Sequence, residues 1–330
     1  MCIRDRGMSD PHTVAVLGAG SWGSAFARVL GLSTSPESAR ASEIVMWSRR
    51  AEVAEAITER HENPEYLPGI TLPTCVRAVT DAAEAVRGAG VVGVAVPAQH
   101  VRETLHAVRD DLAPDAVVVS LVKGLERGTD ARMSQVCAGE LGLSPDRFAV
   151  VSGPNLALEI ARGEPTATVV ASASRATAER IAALTAGRTF RPYTNTDVVG
   201  VEIGGVVKNV IALAVGICDG QGLGDNSKAS VITRGLAETT RLAVALGGDP
   251  ATMAGLAGLG DLVATCASPL SRNRTAGRHI GTGLSAEEAV AAMSQTAEGI
   301  KSVSAIVHAA RAHGVEMPIS ELMDLSLIHI

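Results

Sequence analysis

Aromatic residues are scarce in this chain of 330 residues: three Phe, two Trp and two Tyr, 2 % of the total. Its core must therefore be built from Ala, Val, Leu and Ile. Cysteine is sparse as well. Cys2, Cys75, Cys137, Cys218 and Cys266 show no C-x-x-C spacing. That argues against a structural zinc site and a disulfide framework, and it fits a reducing, cytoplasmic compartment; no metal is expected. Positive charge is not in excess, since 29 Lys and Arg face 35 Asp and Glu for a net charge of −6. A general nucleic-acid footprint is thereby disfavoured. Apolar runs meet a charge before about 18 residues, so no membrane span is expected, and no secretory signal is visible.

The two ends differ from what flanks them. MCIRDR and LSLIHI back-translate as the two strands of one sequencing-adapter end. Residues 1–7 and 325–330 are therefore set aside from fold reasoning as adapter read-through. On that reading the natural start is Met8, and the natural chain runs on past Asp324.

The length allows two domains. From Thr13 to about Tyr193, short β-branched runs alternate with helical periodicity. Strands are expected at Thr13–Leu17, Glu43–Trp47, Val91–Val96, Ala116–Leu121, Phe148–Ser152, Thr166–Ala171 and Arg188–Tyr193. Such alternation implies a parallel sheet with helices on both faces. His61–Pro73, with three prolines, reads as an ordered loop. Beyond about Thr196, long Ala/Leu/Val helices take over. The expectation is an α/β domain over 8–196 and an all-helical second domain over 197–324, and because a strand, the turn Gly18-Ala-Gly20-Ser-Trp-Gly23 and a helix open the first, it reads as a dinucleotide-binding domain of Rossmann type.

Within Val198–Cys218 the only cation is Lys208 and the only anion Glu202. The run is apolar on almost every side, so its helix should be buried. A buried ammonium is costly unless it is paired or has lost its proton, and catalysis is a common reason for one. Gly204 and Gly205 lie four and three positions earlier, under the path of a back-leaning side chain. Room for a small ligand is expected there.

Gly18-Ala-Gly20-Ser-Trp-Gly23 follows a strand and opens a helix. The first glycine permits the turn, the second lets a pyrophosphate approach, and the third allows helix–strand packing. The helix N-terminus then faces the anion. At the end of the second strand an acid would hold the ribose 2′-OH of NAD. Here stand Arg49 and Arg50, which suit a 2′-phosphate, so NADPH is preferred over NADH. Lys123 and the Ser152-Gly153-Pro154-Asn155 turn follow later strands, at the carboxyl ends where open sheets bind ligands. Asp261 and Thr265 share a helical face, although Asp261 could equally be an N-terminal cap. Ser271-Arg272-Asn273-Arg274 opens a helix as an anion site would. Glu298 and Gly299 open another.

GAGSWGSAFA (18–27), LVKGLE (121–126), SGPNLALEIARGEPT (152–166), VEIGGVVKNVIALAVGICDGQGLGDNSKA (201–229), GLGDLVATC (258–266) and SRNR (271–274) occur in this order. Together they resemble the bacterial type of NAD(P)-dependent glycerol-3-phosphate dehydrogenase, over essentially all of residues 12–315. The resemblance implies reversible reduction of dihydroxyacetone phosphate to sn-glycerol 3-phosphate, which supplies glycerophospholipid synthesis. It implies Lys208 as general acid/base and Lys123 as a contact of both substrate and cofactor. It implies Gly153, Asp261, Ser271, Arg272 and Asn273 at the substrate, with Arg272 also reaching the cofactor. Ser21, Trp22, Arg49, Arg50, Ala157 and Glu298 match cofactor positions, and Asn155, Asn209 and Thr265 fit the substrate pocket. The implied partner is a small phosphorylated triose. Oligomeric state is left open, a homodimer being the assembly considered.

Two departures stand out. Ser33–Ser42 looks inserted and is expected to alter how the adenosine end is framed. Asn155 stands where many relatives carry Ser or Thr. Two other functions fit parts of the pattern: a hydroxyacid dehydrogenase acting on a carboxylate, and a non-catalytic NADP(H) sensor. Arg272-Asn273 beside Asp261 argues against the first, and retention of both lysines against the second.

Overall fold

The structure, a computed structural model, describes residues 10–293 and 297–329. These residues form two compact units. The first holds the chain through Val122, Met133–Val151 and Ala157–Thr196; the second holds Lys123–Arg132, Ser152–Leu156 and the chain from Asp197. The linear reading placed both short segments in the first domain. Lys123–Arg132 finds its polar partners in the second unit, Lys123 on Asp261 and Arg132 on Glu202, and Ser152–Leu156 packs there through Gly153 O on Lys123 and Ser152 Oγ beside Gly205.

Ten strands occur among the described residues: β1 (Asp10–Leu17), β2 (Glu43–Trp47), β3 (Glu62–Asn63), β4 (Leu67–Thr71), β5 (Val76–Val79), β6 (Ala89–Val94), β7 (Val117–Ser120), β8 (Phe148–Ser152), β9 (Thr166–Ala171) and β10 (Phe190–Asn195). Eight make one sheet in the order β10-β9-β8-β7-β6-β1-β2-β5. β1 pairs in parallel with both β2 and β6, Val14 lying opposite Ile44 and Val91. Residues on both faces of the central strands are buried, as a doubly covered parallel sheet requires. The order reverses at β1, which is where such sheets bind ligands.

β3 and β4 form a separate antiparallel pair inside the segment expected to be a loop. Strands this short, broken by prolines, leave no alternation to detect. The Ser33–Ser42 stretch also departs from expectation. It joins the helix Ser21–Gly31 to the start of β2, where Ser42 N–H donates to His12 O at 2.9 Å. That is the amino edge of the parallel strands, opposite the glycine turn at the carboxyl end of β1. It does not frame the adenosine end.

The described part of the second unit is helical from Val198 onward. Its centre is the helix Val198–Gly220, packed by Asp225–Ala245, Asp261–Ala267, Arg272–Gly281 and Glu298–Ala312. By length and composition this helix could cross a membrane, yet most of it is buried inside the unit. With few aromatics available, the unit gains density from glycine. Gly216 and Gly220 on this helix meet Gly277 and Gly281 on Arg272–Gly281, backbone against backbone. A Cβ at Gly277 would stand 2.0 Å from Leu213 O, and one at Gly216 2.1 Å from Arg274 O. The last helix, Pro318–His329, runs into the segment set aside at the C-terminus, and Leu327 packs on the core. Residues 1–7 lie outside the described residues.

Candidate active site

In the first unit, the glycine turn has the expected geometry. Gly18 adopts φ 120°, and a Cβ there would meet Ala95 O at 2.8 Å, so only glycine fits. A Cβ on Gly23 would meet Gly18 O at 2.1 Å, which is the close helix–strand approach. A Cβ on Gly20 would meet nothing within 4 Å, leaving that side open to a ligand. Gly20 caps the helix Ser21–Gly31 with no side-chain bond and no acid in its first turn. The helix start is thus free for an anion. This arrangement fits the pyrophosphate of NAD(P)H. Trp22 packs edge-on against Phe26 with its indole nitrogen buried and unpartnered. Ala157 begins the helix Ala157–Ala161, which packs beside Ser21–Gly31.

Arg49 and Arg50 follow β2, and both are exposed. Arg50 is engaged: it bonds Glu52 at 2.8 Å and Glu65 at 2.5 Å, and these partners raise its pKa. No such partner is described for Arg49. The two guanidinium groups that looked equivalent in sequence are therefore not equivalent.

In the second unit the catalytic candidates converge on one carboxylate. Lys208 Nζ donates to Asp261 Oδ1 at 2.5 Å and to Thr265 Oγ1 at 2.6 Å. Lys123 Nζ donates to Asp261 Oδ2 at 2.6 Å and to Gly153 O at 2.8 Å. Asp261 is 1 % exposed and Lys208 7 %. Asp261 is not a helix cap. It opens the helix Asp261–Ala267 after a π-helical turn, Leu256–Gly260, with its carboxylate on the lysines. Thr265 lies one turn on and donates back to Asp261 O at 2.7 Å, so its oxygen is oriented to accept from Lys208. Burial pulls the Lys123 ammonium down to about 8; the Asp261 carboxylate opposes the fall and the Lys208 charge adds to it.

The space expected beside Gly204 and Gly205 is filled by protein. A Cβ at Gly204 would meet Ala257 O at 2.6 Å, and one at Gly205 would meet Ser152 Oγ at 2.7 Å. These glycines let the π-helical turn and the Lys123 stem close onto the helix.

Asn209 Nδ2 donates to Gly205 O at 3.3 Å, and its Oδ1 accepts from Asn273 Nδ2 at 2.8 Å. Asn273 Oδ1 in turn accepts from Gly299 N–H at 2.8 Å. Ser271 caps its helix, its Oγ accepting from Arg274 N–H at 3.3 Å. Arg272 is exposed at the helix start; surrounding atoms pull its pKa down and the Glu298 charge opposes this. Arg272-Asn273 and Glu298-Gly299, unconvincing separately in sequence, are thus one place. Asn155 has both side-chain polar atoms buried without a protein partner, which makes it a candidate for a ligand contact. Sequence reasoning missed Asn63, buried beneath the glycine turn, and Arg132, which pairs with Glu202 at 2.6 Å. The lone acid in an apolar helix was the available signal for the second.

A dinucleotide turn at the switch point of a parallel sheet, with a lysine pair on a buried carboxylate in a helical unit, defines a nicotinamide-dependent oxidoreductase. The chain belongs to the NAD-dependent glycerol-3-phosphate dehydrogenase family: its N-terminal part matches over residues 13–178 and its C-terminal part over 197–327. A glycerol-3-phosphate dehydrogenase [NAD(P)+] of Thermobifida fusca is 58 % identical over 96 % of this chain and 92 % of that protein. The one from Streptomyces griseus is 56 % identical over 98 % of this chain and 94 % of that protein. The crystal structure of glycerol-3-phosphate dehydrogenase from Coxiella burnetii superposes with a TM-score of 0.89 at 36 % identity, covering 96 % of this chain and 94 % of that one.

Proposed function

We propose that this chain interconverts dihydroxyacetone phosphate and sn-glycerol 3-phosphate, with Lys208 as general acid/base and NADPH preferred over NADH. The observation that carries the reading is Asp261 shared between Lys208 and Lys123. Held by the glycine turn, NAD(P)H would supply the hydride that reduces the carbonyl carbon. As charge grows on the carbonyl oxygen, an Nζ–H bond of Lys208 breaks and an O–H bond forms; in reverse Nζ takes the hydroxyl proton. The positive charge of Lys208 also stabilises the oxyanion. Asp261 and Thr265 hold Nζ in place.

Lys123, Gly153, Asn155, Ser271 and Arg272 would line the substrate, Arg272 by charge on the phosphate. Asn209 and Asn273 support them as an internally bonded frame. Gly18, Gly20, Gly23, Ser21, Trp22, Ala157, Arg49, Arg50 and Glu298 would hold the cofactor, with Arg49 the freer reader of a 2′-phosphate. A cytoplasmic enzyme acting on a small phosphorylated triose would feed glycerophospholipid synthesis, with a homodimer as the assembly to test.

The direct experiment compares dihydroxyacetone phosphate with ketopantoate and 3-hydroxyisobutyrate, titrating NADPH and NADH in turn. Turnover of the phosphorylated triose alone is expected. Preference for a carboxylate substrate would overturn the reading.

A further inference from the structure

We infer that Asn63 is a positioning residue for the dinucleotide pyrophosphate, acting through the Ala19–Gly20 peptide. The inference rests on NAD(P)H occupying the Gly18–Gly23 turn. Asn63 is fully buried in the β3–β4 hairpin. Its Nδ2 donates to Ala19 O at 2.9 Å and to Ser24 Oγ at 2.8 Å. Its Oδ1 accepts from Tyr66 N–H at 3.4 Å. Both amide donors are therefore spent on the glycine turn and the helix that follows it.

A trans peptide is planar, with its C=O and N–H pointing in opposite directions. Fixing Ala19 O on the inner side fixes Gly20 N–H on the outer side. The protein leaves Gly20 uncrowded, since a Cβ there would meet nothing within 4 Å, so a ligand phosphate can come close to this backbone. Gly20 itself brings no side chain to cap the helix, so bonds to the Ala19–Gly20 peptide come from neighbouring side chains. Ser24 adds to the grip, donating to Ala19 O at 3.5 Å. The same hairpin is tied to the end of β2 by Glu65 on Arg50. One short hairpin thus holds both the pyrophosphate turn and the segment proposed to read the ribose.

The test compares two ligands on the purified chain. NADPH reports the pyrophosphate, whereas 2′-AMP carries the adenosine end and its 2′-phosphate without a pyrophosphate. Asn63→Leu keeps the number and branching of the side-chain heavy atoms, adds no charge and removes both donors. The NADPH Kd is expected to rise about tenfold, with the 2′-AMP Kd changed less than about twofold. The kcat at saturating NADPH should stay within about threefold. Ser24→Ala should weaken NADPH in the same direction to a smaller extent, and it carries the test if the first variant does not fold. Unchanged NADPH affinity, or parallel weakening of both ligands, would overturn the role of Asn63. Wild-type protein that does not bind NADPH would instead overturn the dinucleotide reading.

Discussion

Lys208 and Lys123 stand on opposite oxygens of one carboxylate, Asp261 Oδ1 at 2.5 Å and Oδ2 at 2.6 Å. An ammonium has three donors. Lys208 spends two, on Asp261 and Thr265, and Lys123 spends two, on Asp261 and Gly153. Each keeps one further N–H, which the proposed mechanism would direct to a substrate oxygen. Lys208→Ala should therefore lower kcat by about 10²- to 10⁴-fold. NADPH affinity should stay within about twofold, because Lys208 is not among the residues proposed to hold the dinucleotide. Steady-state kinetics and a fluorescence titration check both. Loss of cofactor binding alongside activity would make Lys208 structural.

Lys123 gives the reaction a pH signature. Its ammonium titrates at about 8, below the ordinary 10.5, mainly because it is buried. Above that value it is neutral, and its proposed contact with the anionic substrate would lose its charge. The KM for dihydroxyacetone phosphate should be flat below pH 8 and climb above it, and Lys123→Met should show a raised KM without that inflection. Stability follows the opposite course. Between 8 and 10.5 the unfolded chain binds the proton more than the folded one does, so the cost of the buried ammonium is relieved as pH rises. The unfolding free energy of wild type relative to Lys123→Met should accordingly increase across that window. A difference independent of pH would contradict the assignment.

How far the sequence went depended on the range of the signal. The glycine turn was legible because its three requirements fall within six residues. Lys208 was legible because one cation in an apolar helix needs a reason. What completes the site was not local. Asp261 lies 53 residues from Lys208 and 138 from Lys123, and nothing in GLGDLVAT separates a lysine-bridging acid from a helix cap. Gly204 and Gly205 were misread for the same cause: absence of a side chain signals close approach, but the approaching atoms, Ala257 O and Ser152 Oγ, come from elsewhere in the chain.

Arg49 and Arg50 can be separated by mutation. Replacing both with Ala should raise the KM for NADPH far more than that for NADH. Because Arg50 is engaged with Glu52 and Glu65, Arg49→Ala alone should carry most of that loss, about tenfold for one charged contact. Arg50→Ala should do less and act on both cofactors alike, through the hairpin. Paired NADPH and NADH titrations on the single variants read this directly. An equal loss for the two cofactors in Arg49→Ala would remove the 2′-phosphate assignment.

The glycine contact joins Val198–Gly220, which carries Lys208, to Arg272–Gly281, which carries Arg272 and Asn273, backbone against backbone, so it should be intolerant of even one carbon. At Gly277 a Cβ would stand 2.0 Å from Leu213 O, which is backbone and cannot swing aside. Gly277→Ala should force the helices apart, lower stability by about 1–3 kcal/mol and raise the KM for the triose phosphate. Gly139 is the control. It sits in the helix Met133–Leu141 with nothing within 4 Å of an added Cβ and no positive φ. Gly139→Ala should raise stability by about 0.4–1 kcal/mol, because it restricts the unfolded chain without straining the folded one. Urea unfolding of the two variants should therefore move in opposite directions, and only Gly277→Ala should alter substrate kinetics.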